Sequence, residues 1–204
     1  MDLSKAAARL VGVEAPSPWL LACADLLPAG GRALDVASGR GRHALLLAAA
    51  GFEVTAMDRE REALDALESQ ARTNEVSVRT MVADLEAAPP DLGEASFDLI
   101  VVFRYLHRPL VPALTRALAP GGFVVYETFT RAQATRGHPK NPDFLLEAGE
   151  LPRLLVPLET LRAYEGELDG SFLSGAFARR PAANRFRAGP PPLRPPDPGD
   201  GSRG

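Results

Sequence analysis

Cysteine is nearly absent from this chain: Cys23 is the single one among 204 residues. One thiol excludes an intramolecular disulfide and any CxxC metal site. In its apolar surroundings Cys23 reads as a small buried hydrophobe within a helix. Long hydrophobic runs are missing too. The apolar run 44–51 falls far short of the roughly 20 residues that cross a bilayer. Residues 1–10 lack the apolar centre of a secretory signal, so the expectation is a cytoplasmic protein with no membrane partner. No excess of one charge exists: 23 Lys+Arg against 26 Asp+Glu leave a net charge of −3, which offers no general attraction to nucleic acid. Lysine occurs only as Lys5 and Lys140, a coding preference rather than a chemical one.

What is present suits a globular α/β domain. Hydrophobic residues make up 46% and charged residues 24%, enough to build an ordinary core. Residues 1–180 are assigned to one domain. From Pro181 onward seven prolines crowd the remaining sequence, which cannot bury enough apolar area to offset its ordering entropy. Residues 181–204 are therefore expected to be disordered. Pro192-Leu193-Arg194-Pro195 fits a PxxP pattern, but a solvated tail is the preferred reading.

Between residues 17 and 175 strand and helix patterns alternate. A helix over 17–27 starts with Ser17 as N-cap and Pro18 in its first turn. Strands follow at 32–37, 53–57, 78–83, 97–103 and 123–129. Helices are expected at 41–50, closed by Gly51, at 58–72 with Leu64 and Leu67 on one face, and at 112–118, stopped by Pro120-Gly121-Gly122. This alternation predicts a doubly wound, mostly parallel sheet covered on both faces. Two final extended segments, 158–168 and 171–178, are joined only by Asp169-Gly170, a strong hairpin signal. They bring the sheet to seven strands with a C-terminal antiparallel hairpin. Residues 130–145 form a long aperiodic loop, of the kind that is functional or disordered.

The chemistry concentrates at the ends of the first strands. Asp35-Val36-Ala37-Ser38-Gly39-Arg40-Gly41-Arg42-His43 leaves a strand and enters a helix. Gly39 and Gly41 let a ligand approach the backbone, beside the free N–H groups of the helix start, at the sheet edge where such folds bind ligands. Asp58 closes the second strand, where a carboxylate can accept from two ribose hydroxyls; it can also cap the helix after it. Asp84 closes the third strand. It suits an adenine amine, or a turn. Three carboxylates at one end of three consecutive strands suit a nucleoside.

These motifs resemble those of the class I S-adenosylmethionine methyltransferases. Asp35 to Gly41 resembles their first motif, E/D-x-x-x-G-x-G. Asp58 matches the ribose-binding acid and Ala83-Asp84-Leu85 the adenine position. Phe97-Asp98-Leu99-Ile100-Val101 resembles the fourth-strand motif, and Leu118-Ala119-Pro120-Gly121-Gly122 the turn before the fifth strand. Ser17-Pro18-Trp19 and Gly39-Arg40-Gly41-Arg42-His43 look like bacterial methyltransferases of the tellurite-resistance type. The resemblance implies S-adenosylmethionine as cofactor, bound by Asp35, Ser38, Gly39, Gly41, Asp58, Arg59, Asp84, Leu85 and Phe103. It implies a small-molecule methyl acceptor and a monomer or homodimer.

Methyl transfer by in-line displacement needs positioning more than a base. For a hard acceptor the candidate catalytic residues are Tyr105, His107 and Glu127, with His138 and His43 behind them. Glu127 lies in an apolar strand, where burial perturbs a carboxylate; it can equally serve at the sheet's edge by contacting cofactor or Arg104. His107 also reads as a solvated loop histidine, and His43 as a cap on the glycine turn. Residues 130–145 are expected to form a mobile cover whose Arg131, Arg136 and Lys140 attract an anionic acceptor.

Two other functions fit parts of the sequence. Gly39 to Ala44 formally satisfies the dinucleotide fingerprint G-x-G-x-x-G/A, with Asp58 near the required distance. Asp35 would oppose a pyrophosphate, and the terminal hairpin departs from that fold. A protein that holds the methyl donor or its demethylated product without turnover also satisfies the motifs. Nucleobase amino-methylation is disfavoured, since Phe103-Arg104-Tyr105-Leu106 stands where Asn/Asp-Pro-Pro-Tyr is required, and no basic face with aromatics is visible.

Overall fold

The computed structural model describes residues 2–88 and 90–182. Apart from Pro181 and Ala182, the stretch expected to be disordered lies outside them. Five strands run parallel: β1 (Gly31–Val36), β2 (Phe52–Asp58), β3 (Val78–Val82), β4 (Phe97–Phe103) and β5 (Leu118–Phe129). Next to β5 lies β7 (Ser171–Arg179), antiparallel, and outside it the antiparallel edge strand β6 (Glu159–Leu168). The order β3-β2-β1-β4-β5-β7-β6 is the expected doubly wound α/β sheet with a terminal hairpin. Asp169 and Gly170 turn that hairpin with φ of 50° and 70°, the left-handed pair that matches strand twist.

Apolar residues on both faces of the central strands bury the sheet on two sides. On β4, Leu99, Val101 and Phe103 face one core while Ile100 and Val102 face the other. The first core is closed by α1 (Leu3–Ala7), α2 (Pro18–Ala22), α3 (Arg42–Ala49) and α4 (Arg61–Thr73), the second by α5 (Val111–Ala117) and α6 (Glu150–Leu154). No helix among the described residues is long and apolar enough to cross a membrane.

Several boundaries differ from the sequence reading. Ser17 caps α2 as expected, its hydroxyl accepting from the Trp19 N–H. That helix ends at Ala22, however, and continues only as a 3-10 turn, Ala24–Leu26. Leu27 precedes Pro28 and is extended, the conformation a following proline imposes. Asp58 belongs to β2, and α4 starts at Arg61 after Glu60 as N-cap. Pro120-Gly121-Gly122 does not precede β5 but lies within it. The register against β4 slips between Phe97 and Leu99, and a Cβ on Gly122 would meet the Ala119 carbonyl oxygen at 2.9 Å. The backbones are that close because the bulge folds them together.

The loop after β5 is fastened rather than loose. Thr130 N–H donates to the Phe172 carbonyl, and Leu146 N–H to that of Phe129. The Gln133 side chain is buried, accepting from the Phe172 N–H and donating to the His138 carbonyl. Arg131 pairs with Glu147 and Arg136 with Glu167, each at 2.5 Å. Two of the three cations expected to draw in an anion are thus already neutralised within the protein.

Candidate functional site

The carboxyl ends of β1 to β5 share one edge of the sheet. Two cavities open there, of about 340 and 550 Å³. Ala37 and Arg104, the residues that follow β1 and β4, line both cavities. Each is a non-glycine residue with positive φ, 53° and 56°, a costly conformation that clusters at functional sites.

The glycine turn floors the larger cavity. Asp35 is buried and accepts from the Ala44 N–H at 2.9 Å, which ties the end of β1 to the first turn of α3. Burial pushes its carboxyl up to about 7. Gly39 has φ of +54° and open space where a Cβ would stand. Gly41 has φ of +76°, and a Cβ there would meet Leu67 of α4 at 2.2 Å. The first glycine thus leaves room for a ligand, and the second lets α3 and α4 approach each other.

Asp58 braces this turn. One carboxylate oxygen accepts from the Gly39 N–H at 2.7 Å, the other from the Glu60 N–H at 2.9 Å. It borders the smaller cavity with Arg59, Asp84 and Leu85. The Asp84 carboxylate accepts from the Glu86 and Ala87 N–H groups, which hold it below the usual carboxylate range. The turn role and the cavity position coincide at both aspartates. Two hydroxyls of cavity-lining residues, Ser38 Oγ and Tyr105 OH, are buried with no partner among the described residues. A buried hydroxyl without a partner is costly, so each suits a polar ligand atom. Burial pushes Tyr105 up to about 12, which keeps it a donor. These donors, acceptors and the open glycine backbone suit an adenosine carrying an amino-acid tail.

The catalytic candidates are less concentrated. Tyr105 lines the smaller cavity, whereas His107 lines neither cavity, and His138 is exposed. Glu127, near the end of β5, is 2% exposed and lines neither cavity. Its carboxylate accepts from the Ser17 hydroxyl at 3.0 Å and from Tyr164 OH at 2.8 Å. Burial raises its pKa against the opposing effect of those two hydroxyls and of Arg104 and Arg42. His43 lines the larger cavity, with its ring centroid 3.9 Å from that of Phe103.

Sequence reasoning gave no site role to Tyr164, to the Ser17 hydroxyl beyond its cap, or to Glu14 and Arg42 in the larger cavity. The one signal for Tyr164 was Gly175 inside an apolar strand, since such a glycine marks close approach by another group. Tyr164 and Gly175 are register partners. A Cβ on Gly175 would meet Tyr164 Cε1 at 2.3 Å and Trp19 Cε2 at 2.9 Å.

Residues 33–122 match the family model described as a methyltransferase domain. Over 105 residues the chain is 35% identical to the ribosomal protein L11 methyltransferase of Thermus thermophilus, covering 50% of this chain and 40% of that one. Over 136 residues it is 32% identical to the ubiquinone biosynthesis O-methyltransferase of Alkalilimnicola ehrlichii, covering 64% and 52%. The chain thus spans about half the length of the curated relatives it matches. Among solved structures, TehB from Haemophilus influenzae superposes with a TM-score of 0.65 at 21% identity, over 79% of this chain and 61% of that one.

Proposed function

We propose, from a chain that resembles the class I S-adenosylmethionine-dependent methyltransferases in fold and in the sequence of residues 33–122, that this protein transfers the methyl group of S-adenosylmethionine to a small molecule. The observation that carries the reading is the row Asp35, Asp58 and Asp84, on or just beyond three neighbouring strands, around a glycine turn with open space above Gly39. The domain is residues 1–180. In this reading Asp58 takes the ribose hydroxyls and Asp84-Leu85 the adenine, with Arg59 and Tyr105 beside it. Asp35, Ser38, Gly39, Gly41 and Phe103 hold the amino-acid end.

The bound cofactor supplies an electrophilic methyl on a sulfonium. The chain's own contribution is position and dryness. Pro139 and Phe144, from the fastened loop, line the smaller cavity together with Asp58, and a fixed wall excludes water without having to close. Both oxygens of Glu127 lie within reach of the Ser17 hydroxyl, so that carboxylate is committed to the protein. An acceptor that arrives already ionised, as a thiolate or an oxyanion, then needs no base from Glu127. The reading takes no nucleic acid or membrane partner, a monomer or homodimer, and a cytoplasmic setting; the net charge of −3 supports the first of these.

Titration calorimetry tests the cofactor: S-adenosylmethionine and S-adenosylhomocysteine should bind and NAD should not. Tight NAD binding without response to the adenosyl ligands overturns the reading. Incubating the protein and isotopically labelled cofactor with a cell extract, followed by mass spectrometry of the small-molecule fraction, then identifies the acceptor. Binding without any labelled product would leave a cofactor-holding protein in place of an enzyme.

A further inference from the structure

His43 is the second residue of α3, 3% exposed, and forms part of the wall of the larger cavity. Its Nε2 accepts a hydrogen bond from the Ser17 backbone N–H at 3.1 Å. A ring nitrogen that accepts carries no proton, so the uncharged imidazole must carry its proton on Nδ1. Nδ1 has no partner among the described residues. Protonating the ring would place two N–H donors face to face across that 3.1 Å contact.

The group that imposes this tautomer is itself held. The Ser17 hydroxyl donates to Glu127 and accepts from the Trp19 N–H, while Tyr164 donates to the same carboxylate. Hydrogen bonds therefore run from β6 through the end of β5 and the start of α2 to α3, and they fix one proton on a cavity-lining ring. Arg42 on the same helix and Arg104 after β4 reinforce burial in keeping the imidazole uncharged, well below its ordinary pKa. Glu14 and Asp35 are the carboxylates that share the cavity with it.

We propose that His43 is an uncharged hydrogen-bond donor, through Nδ1–H, to a ligand's anionic oxygen in the cavity it shares with Arg42 and Arg104. It is not a proton acceptor. The inference rests on the cofactor reading above only for the identity of the ligand. That oxygen belongs either to the carboxylate at the cofactor's amino-acid end or to an oxyanion on the acceptor.

Long-range proton–nitrogen correlation spectra of 15N-labelled protein test the tautomer without any ligand. The expected result is a protonated Nδ1 and an unprotonated Nε2 at His43, unchanged from pH 5.5 to 8. An Nε2–H tautomer, or an imidazolium forming above pH 5.5, overturns the proposal. The Nδ1–H resonance then reports the ligand. A shift with S-adenosylhomocysteine but not with 5′-deoxy-5′-methylthioadenosine, which lacks the carboxylate, assigns the cofactor. A shift only when inorganic phosphate is added to the protein loaded with S-adenosylhomocysteine assigns the acceptor's oxyanion. No shift in either arm, with the adenosyl ligand demonstrably bound, removes the donor role. If no adenosyl ligand binds while the tautomer holds, the cofactor reading has failed and the tautomer has not. His43→Ala should weaken the responsive probe about tenfold. His43→Asn, whose amide can stand near Nδ1, should recover most of that loss; equal weakening by both variants counts against the donor.

Discussion

Asp35 and Asp58 are both acids at this sheet edge, yet Asp35 is buried while Asp58 is half-buried and braces the glycine turn. Burial disfavours the charge on Asp35 and pushes its carboxyl up to about 7. Its proton is bound more tightly in the folded chain than in the unfolded one, so stability falls as pH rises from the ordinary carboxylate range to about 7 and is level above that. Asp35→Asn keeps an acceptor for the Ala44 N–H and removes the titration. Calorimetry from pH 4 to 8 should show the variant gaining on the parent protein by on the order of 2–4 kcal/mol across that window; an unchanged slope would assign the pH dependence to other groups. Asp58→Ala should weaken S-adenosylhomocysteine binding by about 1.5–3 kcal/mol. Because Asp58 also braces Gly39, the Gly39 amide should exchange faster with solvent in the unliganded variant. Normal affinity together with fast exchange would leave Asp58 only the bracing role. The acids and glycines of the turn were legible in the sequence because their spacing along the chain carries their chemistry. Ser17 and Tyr164 were not, since 110 residues separate Ser17 from Glu127 and 37 separate Tyr164 from it. Only the strand order brings them together.

Elements built on local patterns were read most closely. β4 spans Phe97–Phe103 as its apolar run, broken only by Asp98, indicated, and Asp169-Gly170 placed the hairpin. Where the reading failed, a nonlocal contact had overruled a local signal. Pro120-Gly121-Gly122 looks like a stop, but pairing of Leu118 with Phe97 of β4, and bonds of Gly121 and Gly122 to Arg180 just beyond β7, carry the strand back through it to Leu118. The polar loop after β5 looks mobile, but bonds from Gln133, Arg131 and Arg136 reach residues far along the chain. Its amides should therefore be protected before any ligand binds. Thr130 and Leu146, whose N–H groups donate to Phe172 and Phe129, should exchange at least tenfold more slowly than unprotected amides in free protein. Rapid exchange there would restore the mobile cover. Gly175→Ala tests the packing of α2 against the hairpin. The new methyl collides with Tyr164 and Trp19, which should cost about 1–3 kcal/mol in denaturant unfolding and release Tyr164 from Glu127. Wild-type stability would mean that the hairpin gives way cheaply.

At the scale of the whole molecule, ligand binding and folding are one equilibrium. A ligand at about 100 times its Kd adds about 2.7 kcal/mol of stability, on the order of 5–10 °C in Tm for a domain of this size. S-adenosylhomocysteine should produce that shift and NAD none; the reverse pattern would favour the oxidoreductase reading. The strand order has a further consequence, in the timing of synthesis. β7 is the last of the described strands to be made, yet it sits between β5 and β6. While the chain is still growing, β1 to β5 can already pair, and β5 then shows a bare edge along Val124, Val125 and Tyr126. Bare apolar edges recruit strands from neighbouring chains. Until Ser171–Arg179 has left the ribosome the chain therefore displays an adhesive half-sheet, and pairing of β7 with β5 then covers that edge. Translation speed through β6 and β7 sets how long it waits.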